Sequence, residues 1–354
     1  VLNEFDAIIV GAGPAGACAA IELAAGGARV LLAEQKRFPR EKLCGEFISP
    51  ECLEHFQRLG VLDSMRAARG SDVSETIFYA ASGRGVRVPS EWFAGTGGAA
   101  ALGLSRAEMD ERLLGRAREA GARVLEEATL AGVVIEDGVV RGVRLQEEGG
   151  AVSEHRAHVT IDATGRARAV ARRAARESGR GREANGARAK RAPLVAFKAH
   201  MEGALGAAGA CEIYFYPGGY GGLSPVERGL SNLCFIARSK DVRACGGDAE
   251  RVVREVLMRN RRAAEALGPA RARGAWLAVA LEGFGRSGPV PAPGLLAAGD
   301  AAAFIDPFTG SGMLMALEGG ELAARAVSDW LARGGRDFDE IAGDYRRAYA
   351  SRFD

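Results

Sequence analysis

The sequence predicts an α/β protein in which a Rossmann-like nucleotide-binding domain is interleaved with an antiparallel β-sheet domain. Three observations carry this. A strand, glycine turn, helix, strand and acid follow one another over residues 5–34, and a second glycine-rich turn with a long amphipathic run lies at 295–331. Between them the chain is rich in short β-patterned runs separated by Gly and Pro.

The first unit reads FDAIIVGAGPAGACAAIELAAGGARVLLAEQ. Ala7–Val10 is an apolar strand, and Gly11, Gly13 and Gly16 form GxGxxG directly after it. Gly11 permits the turn, Gly13 lets a pyrophosphate approach the backbone, and Gly16 lets helix and strand pack closely. Pro14 and Ala15 open the helix, whose free amides face an anion. The second strand, Arg29–Ala33, ends at Glu34 and Gln35, where an acid accepts from an unphosphorylated ribose, as in FAD or NAD. GFGRSG at 283–288 repeats the glycine spacing, but PVPAPG follows it and cannot open a helix with free amides, so a second nucleotide domain is not expected.

The second unit is PGLLAAGDAAAFIDPFTGSGMLMALEGGELAARAVSDWL. Leu295–Ala298 reads as a strand ending at Gly299 and Asp300; Pro307, Gly310 and Gly312 mark a turn, and a helix runs from about Met313 to Leu331. Asp300 is placed to accept from a ribityl hydroxyl, while the turn amides and helix N-terminus suit an electron-rich ring edge.

At 354 residues with 47% hydrophobic residues the chain buries a large core, and a net charge of +2 gives no field for nucleic acid. Cys18, Cys44, Cys52, Cys211, Cys234 and Cys245 lack ligand spacing, and the four histidines are dispersed, with His155 and His158 flanking a predicted strand. That pattern predicts free thiols in a cytoplasmic, reducing setting and no metal. The apolar run 7–25 carries Pro14 and Glu22 and lacks a basic leader, so it reads as strand and helix rather than a signal or membrane segment.

GAGPAG with Glu34, KLCGEFISP (42–50), GLSRAEMDERL (103–113), IDATGR (161–166) and AAGDAAAFIDPFTGSGM (297–313) together resemble the FAD-dependent superfamily of p-hydroxybenzoate hydroxylase fold, and within it the geranylgeranyl reductase family. The resemblance implies a glutathione-reductase-type FAD-binding domain at 1–72, 103–190 and 284–354. It implies a substrate domain at 73–102 and 191–283. It adds Arg40, Cys44, Gly45, Arg106, Leu130, Asp162, Gly165 and Met313 to the cofactor-contacting set, and FAD with NAD(P)H or another reductant as the redox pair. It also places a Cys-Gly pair beside the isoalloxazine. From the residues alone, Cys44 reads as a piece of wall or as a flavin-proximal group that tunes or donates a proton to substrate; the nucleophile reading comes last, since no histidine lies close in sequence and Lys42 alone is a weak activator. Glu46 reads as a general acid if burial raises its pKa, or as a salt-bridge partner.

Val73–Ala80, Val86–Val88, Val133–Val143, Leu194–Met201, Glu212–Tyr216, Leu230–Ala237 and Trp276–Leu281 read as strands of the substrate sheet. Tyr214, Tyr216 and Tyr220 are candidates for lining its cavity, with Tyr220 a candidate catalytic group. The family's tryptophan before a proline is replaced by Gly-Leu-Ser ahead of Pro225, a departure that counts against a geranylgeranyl substrate. Residues 166–191 hold ten Arg or Lys against two Glu, a solvated stretch or a docking patch for an acidic carrier protein or a membrane surface.

Trp92, Trp276 and Trp330 are isolated, whereas the halogenases of this fold carry a W-x-W-x-I-P segment, and Ala303 stands where its hydroxylases carry histidine. The resulting expectation is hydride transfer between flavin N5 and a hydrophobic, isoprenoid- or polyketide-like molecule. A monooxygenase, a halogenase and a non-catalytic flavin-binding carrier-docking protein are the alternatives.

Overall fold

The computed structural model describes residues 4–92, 100–179, 193–281, 283–335 and 337–353. The apolar run at the start forms β1 (Phe5–Val10), buried on both faces as expected of a central parallel strand. Helix α1 (Pro14–Ala25) follows, then β2 (Val30–Ala33). β1 pairs in parallel with β2 and with the C-terminal half of β11 (Val152–Asp162); β8 (Arg123–Leu125) flanks β2, and β18 (Leu295–Ala297) flanks β11. Strand β18 thus returns the far end of the sequence to the first unit. Ala7 and Ile9 point into a core beneath α1, while Ile8 and Val10 point to the opposite core.

The first core is closed by α1, α4 (Arg106–Glu119) and α9 (Gly312–Ala332), with α2 (Pro50–Arg58), α3 (Leu62–Ala67) and α10 (Phe338–Phe353) outside them. The Ser105 side chain caps α4 by accepting from the Glu108 amide, the S-x-x-E signature of a helix start. Small residues bring α1 and α9 together: a Cβ on Gly320 would meet the Ala15 carbonyl oxygen at 2.3 Å. The opposite core is closed by α5 (Ala169–Glu177).

The N-terminal half of β11 pairs with β10 (Val139–Gln146), which pairs with β9 (Thr129–Glu136), both antiparallel. The predicted strand Val133–Val143 is therefore this hairpin, turning at Asp137-Gly138, and it extends the first sheet instead of joining the substrate sheet. His155 and His158 lie inside β11 rather than at its flanks.

The second sheet runs β16 (Arg271–Leu281), β12 (Leu194–Glu202), β15 (Ser231–Arg238), β14 (Gly219–Pro225), β13 (Ala210–Tyr216), β5 (Glu75–Tyr79), β6 (Gly85–Pro89). Its pairs are antiparallel except β5 with β13, which are parallel. β14 sits in a run that the sequence presents as glycine-rich and not as a strand. Alternation splits this sheet into two faces. Phe197, Ala199, Met201, Tyr214, Tyr216, Leu233 and Phe235 pack beneath α6 (Ser239–Ala244), α7 (Ala249–Glu255) and α8 (Arg261–Leu267). The other face turns toward the segment 41–48 and the turn at 304–308. Two small sheets seal the junction: β3 (Phe47–Ile48), β7 (Ala101–Gly103) and β4 (Ser71–Val73), and the pair β17 (Gly285–Arg286) with β19 (Ala303–Phe304). GFGRSG thus forms an edge strand. Among the described residues no helix is long and apolar enough to cross a membrane.

Candidate functional site

The glycine turn is built as its spacing predicts. Gly11 has φ +102°, and a Cβ there would meet the Ala163 carbonyl oxygen at 2.4 Å; one on Gly16 would meet the Gly11 oxygen at 1.9 Å. Gly13 is the N-cap of α1 and offers no side-chain cap, so the first-turn amides are left for a ligand. Glu34, buried at the end of β2, accepts from the Ala12 amide (3.1 Å) and the Lys36 amide (3.0 Å) and lies 3.5 Å from Arg40. Its first task is to hold the turn. Gln35 is exposed beside it.

Cations collect opposite this turn. Arg106 is buried and bonds Asp110 through Nε (2.9 Å) and a terminal nitrogen (2.7 Å), and Arg40 reaches the same carboxylate at 2.9 Å. Burial opposes the Arg106 charge, but Asp110 and Cys44 outweigh it and push its pKa up. Lys42 stands in a cleft where desolvation, then Arg106 and Arg40, lower its pKa against the pull of Glu34 and Asp300.

 Desolvation raises the Asp300 carboxyl above its ordinary range, although Arg106, Arg166 and Lys42 pull it down. Lys42 thus has Glu34, Arg40, Arg106 and Asp300 as neighbours, so the start and the far end of the chain face a common cleft.

The far-end turn completes it. Gly299–Ala301 is a 3-10 turn carrying Asp300, and Pro307–Thr309 is another, ended by Gly310 at φ +68° before α9 begins at Gly312. Asp306 caps the second turn, accepting from the Phe308 amide at 3.0 Å. A Cβ added to Gly45, Gly310 or Gly312 meets nothing within 4 Å. At Gly45 and Gly312 neither packing nor a positive φ demands glycine, and both leave open space. With free helix amides, surrounding cations and a desolvated Asp300 that makes no hydrogen bond among the described residues, the cleft fits FAD.

The structure places five further expected residues as follows. Asp162 is fully buried, and both its oxygens accept from the chain: one from the Thr164 amide and hydroxyl, the other from the Ala171 amide at 2.9 Å. It shapes the turn holding Gly165 rather than reaching a ligand. The Met313 side chain is buried in the first core. Leu130 lies on β9 in a cleft with Ala169, Arg172, Arg173 and Arg176. Tyr214 and Tyr216 are buried on the helix-covered face, with hydroxyls bonded to Glu212 and to the Ile236 carbonyl oxygen. Of the three tyrosines only Tyr220 faces the site, and its hydroxyl donates to Asp306 at 2.6 Å. Of the basic run 166–191, residues 180–191 lie outside the described residues.

The segment 42–48 crosses the mouth of the cleft. Cys44 accepts at Sγ from the Glu46 amide (3.5 Å), lies beside the Arg106 guanidinium, and accepts at its carbonyl from Asn232 (3.0 Å). Glu46 is fully buried at φ +55°. One of its oxygens accepts from the Arg106 amide (2.9 Å) and from Lys198 (2.8 Å), and the other bonds His200 Nε2 at 2.6 Å. Arg106 and Lys198 donate to Glu46 and His200 is bonded to it, so neither oxygen of Glu46 is left without a partner.

The sequence reading missed Lys198, His200 and Asn232, and also the aromatic rim. Phe308 stands 5.3 Å from Tyr220, 5.7 Å from Phe215 and 6.2 Å from Phe78, ring centre to ring centre. Behind the rim, Leu43, Ala196, Ile236, Leu281 and Phe304 form an apolar patch on the inner face of the second sheet. A signal for the charged pair was present: in LVAFKAHME, Lys198 and His200 share the strand face opposite Phe197, Ala199 and Met201.

Comparison with known proteins agrees with this geometry. The model of the FAD binding domain family matches residues 4–331. The chain is 29% identical to digeranylgeranylglycerophospholipid reductase 2 of Methanopyrus kandleri over 99% of its own length and 82% of that protein. In fold it resembles a myxobacterial chondrochloren halogenase (TM-score 0.83, 24% identity, covering 99% of this chain and 80% of that one). It likewise resembles a geranylgeranyl bacteriochlorophyll reductase-like protein of Thermoplasma acidophilum (TM-score 0.76, 23% identity, 99% and 84% covered). The chain belongs to the FAD binding domain family and is an FAD-dependent oxidoreductase.

Proposed function

We propose that this flavoprotein is a reductase that saturates a carbon–carbon double bond in a hydrophobic, isoprenoid-like small molecule. The observation that carries the reading is the lining of the second sheet. Its inner face offers Leu43, Ala196, Ile236 and Phe304, with Phe78, Phe215 and Phe308 at the rim, across from the turn that receives the cofactor. Such a surface suits an apolar chain and excludes water. The similarity over nearly the whole chain to a digeranylgeranylglycerophospholipid reductase supports the same substrate class.

When bound, FAD supplies hydride at N5, and NAD(P)H or another reductant restores it. The protein's part is to orient the ring and substrate and to manage the proton. Cys44 is the group we assign to proton donation, because its thiol sits beside Arg106 at the mouth of the cleft. Tyr220 is assigned to positioning, since its hydroxyl is engaged by Asp306. All six cysteines are free thiols, which supports a cytoplasmic setting. Exposed Arg172 and Arg176 on α5 support docking at an anionic membrane surface, where such a substrate resides.

The test is anaerobic. Photoreduced protein is mixed with digeranylgeranylglycerophospholipid in detergent, and flavin absorbance is followed. Reoxidation with loss of alkene supports the reading. Reoxidation by oxygen alone, through a persistent hydroperoxide absorbance, would replace it with a monooxygenase. In Cys44→Ala, flavin reduction proceeds at the wild-type rate while reoxidation by the lipid slows; full turnover would remove Cys44 from the mechanism.

A further inference from the structure

Four ionisable side chains outside the cofactor-contacting set converge where the second sheet meets the segment 41–48. Lys198 is almost completely buried, yet its ammonium contacts both Glu41 and Glu46. His200 bonds Glu46 through Nε2 at 2.6 Å, and its Nδ1 lies 3.8 Å from Glu41. Glu41 is half exposed, with 47% of its side chain open, and is the solvent end of the cluster. Glu41, Glu46 and His200 have the mutual spacing of a metal set, but the Lys198 ammonium already bridges the two carboxylates.

Charge balance identifies the mobile proton. Two carboxylates face one ammonium, and buried charge is tolerated only when paired, so a protonated His200 brings the cluster to neutrality. No other cation among the neighbouring groups is free to do this. Arg106 is committed to Asp110, and Arg273, opposite His200 on β16, lies 3.3 Å from Glu202. Lys42 belongs to the cofactor cleft, and the remaining neighbours, Cys44 and Cys234, are thiols.

The cluster also leads toward Cys44. Asn232 lies directly across from His200 in the β12–β15 register, and its amide nitrogen donates to the Cys44 carbonyl. Its Oδ1 is fully buried and has no hydrogen-bond partner among the described residues. The Glu46 amide, on the other side, donates to the Cys44 sulfur.

We propose that Glu41, Glu46, Lys198 and His200 form a proton store, filled from solvent at Glu41 and emptied from His200 toward Cys44. The inference rests on the reductase reading. One alkene carbon receives hydride, with both electrons, from the reduced cofactor, and its neighbour receives a proton from the Cys44 thiol. The His200 imidazolium reprotonates that thiolate, and water returns a proton to His200 by way of Glu41. Lys198 stays on Glu46 at 2.8 Å throughout, which leaves His200 as the exchanging group of the store.

Two measurements test it. In the FAD-loaded protein at about pH 7, nitrogen NMR of the His200 imidazole reads whether one ring nitrogen or both carry a proton, in wild type and in Glu41→Gln. Both are expected to carry one in wild type, and only one in the variant. A wild-type ring with a single proton overturns the proposal. In the second measurement, reduced protein is mixed anaerobically with the lipid probe. His200→Gln, whose amide still donates to Glu46, is expected to be reoxidised about 10²-fold more slowly, with a larger solvent deuterium isotope effect. Glu41→Gln, at the exposed end, slows less and shows the same isotope signature. Wild-type rates in both variants overturn the store. If the wild-type protein is not reoxidised by any alkene, the reductase reading fails, and the imidazole spectrum still decides whether the proton is held.

Discussion

The two sides of the cleft are built on different principles. On the nucleotide side, contacts come from backbone amides and close approaches within short segments: Gly11, Gly13 and Gly16 around one turn, Gly310 and Gly312 around another. On the sheet side, contacts come from side chains brought together by strand pairing. Lys198 and His200 reach Glu46 across 152 and 154 positions of sequence, and Tyr220 reaches Asp306 across 86. The first side constrains backbone shape and so recurs wherever the cofactor does. The second constrains side-chain chemistry and is where the proposed reaction sets its substrate and proton handling.

Substitutions on the two sides should therefore fail differently. The largest effect belongs to Gly16→Ala, whose methyl would meet the Gly11 oxygen at 1.9 Å. The purified protein is expected to carry no flavin, read as the ratio of absorbance at the flavin and protein bands. Next comes Lys198→Met, which leaves Glu46 buried beside His200 without its ammonium and should cost about 3–5 kcal/mol in denaturant unfolding. Flavin bound to the folded fraction should remain. If this variant instead lost flavin with its stability intact, the contrast between the two sides would be broken.

The same lysine gives a pH signature. Burial alone would lower its pKa, but Glu46 and Glu41 raise it above the ordinary value of about 10.4. A folded pKa above the unfolded one stabilises fully below the unfolded value and loses that contribution as pH rises through the folded value. Unfolding free energy should thus fall more steeply beyond about pH 10 in wild type than in Lys198→Met. Tyr220→Phe removes one hydrogen bond between the sheet and the 306–310 turn and should cost about 1 kcal/mol, seen as a small loss of flavin affinity. Smallest is Phe308→Ala at the rim. It is expected to raise the KM for the lipid about fivefold, about 1 kcal/mol of aromatic contact, with the rate of flavin reduction unchanged.

Legibility in the sequence followed the same divide. GxGxxG, the acid after β2 and the far-end GD and glycine turn are local patterns, and the structure brings all of them to one cleft. The register of the second sheet is not local. Tyr214, Phe215 and Tyr216 look alike in a list of aromatics, and only alternation within a paired strand sends Phe215 to the rim and the two tyrosines to the core. The Val133–Val143 hairpin has the same composition as the other strands, and its partner β11 decides which sheet it joins. Asp162 ends a strand as Glu34 and Asp300 do, but the Thr164 and Ala171 donors that occupy it become visible only when the turn is folded.

The central claim is that both ends of the chain hold one FAD, with Gly45 and Gly312 left bare to admit it. Flavin fluorescence titration of Gly45→Val and Gly312→Val tests this most directly, because added side chains there meet no protein atom within 4 Å at their first carbon. Both variants are expected to fold with unchanged melting temperature and to bind FAD at least about tenfold more weakly, a loss of about 1.4 kcal/mol. Wild-type affinity in both would contradict the account.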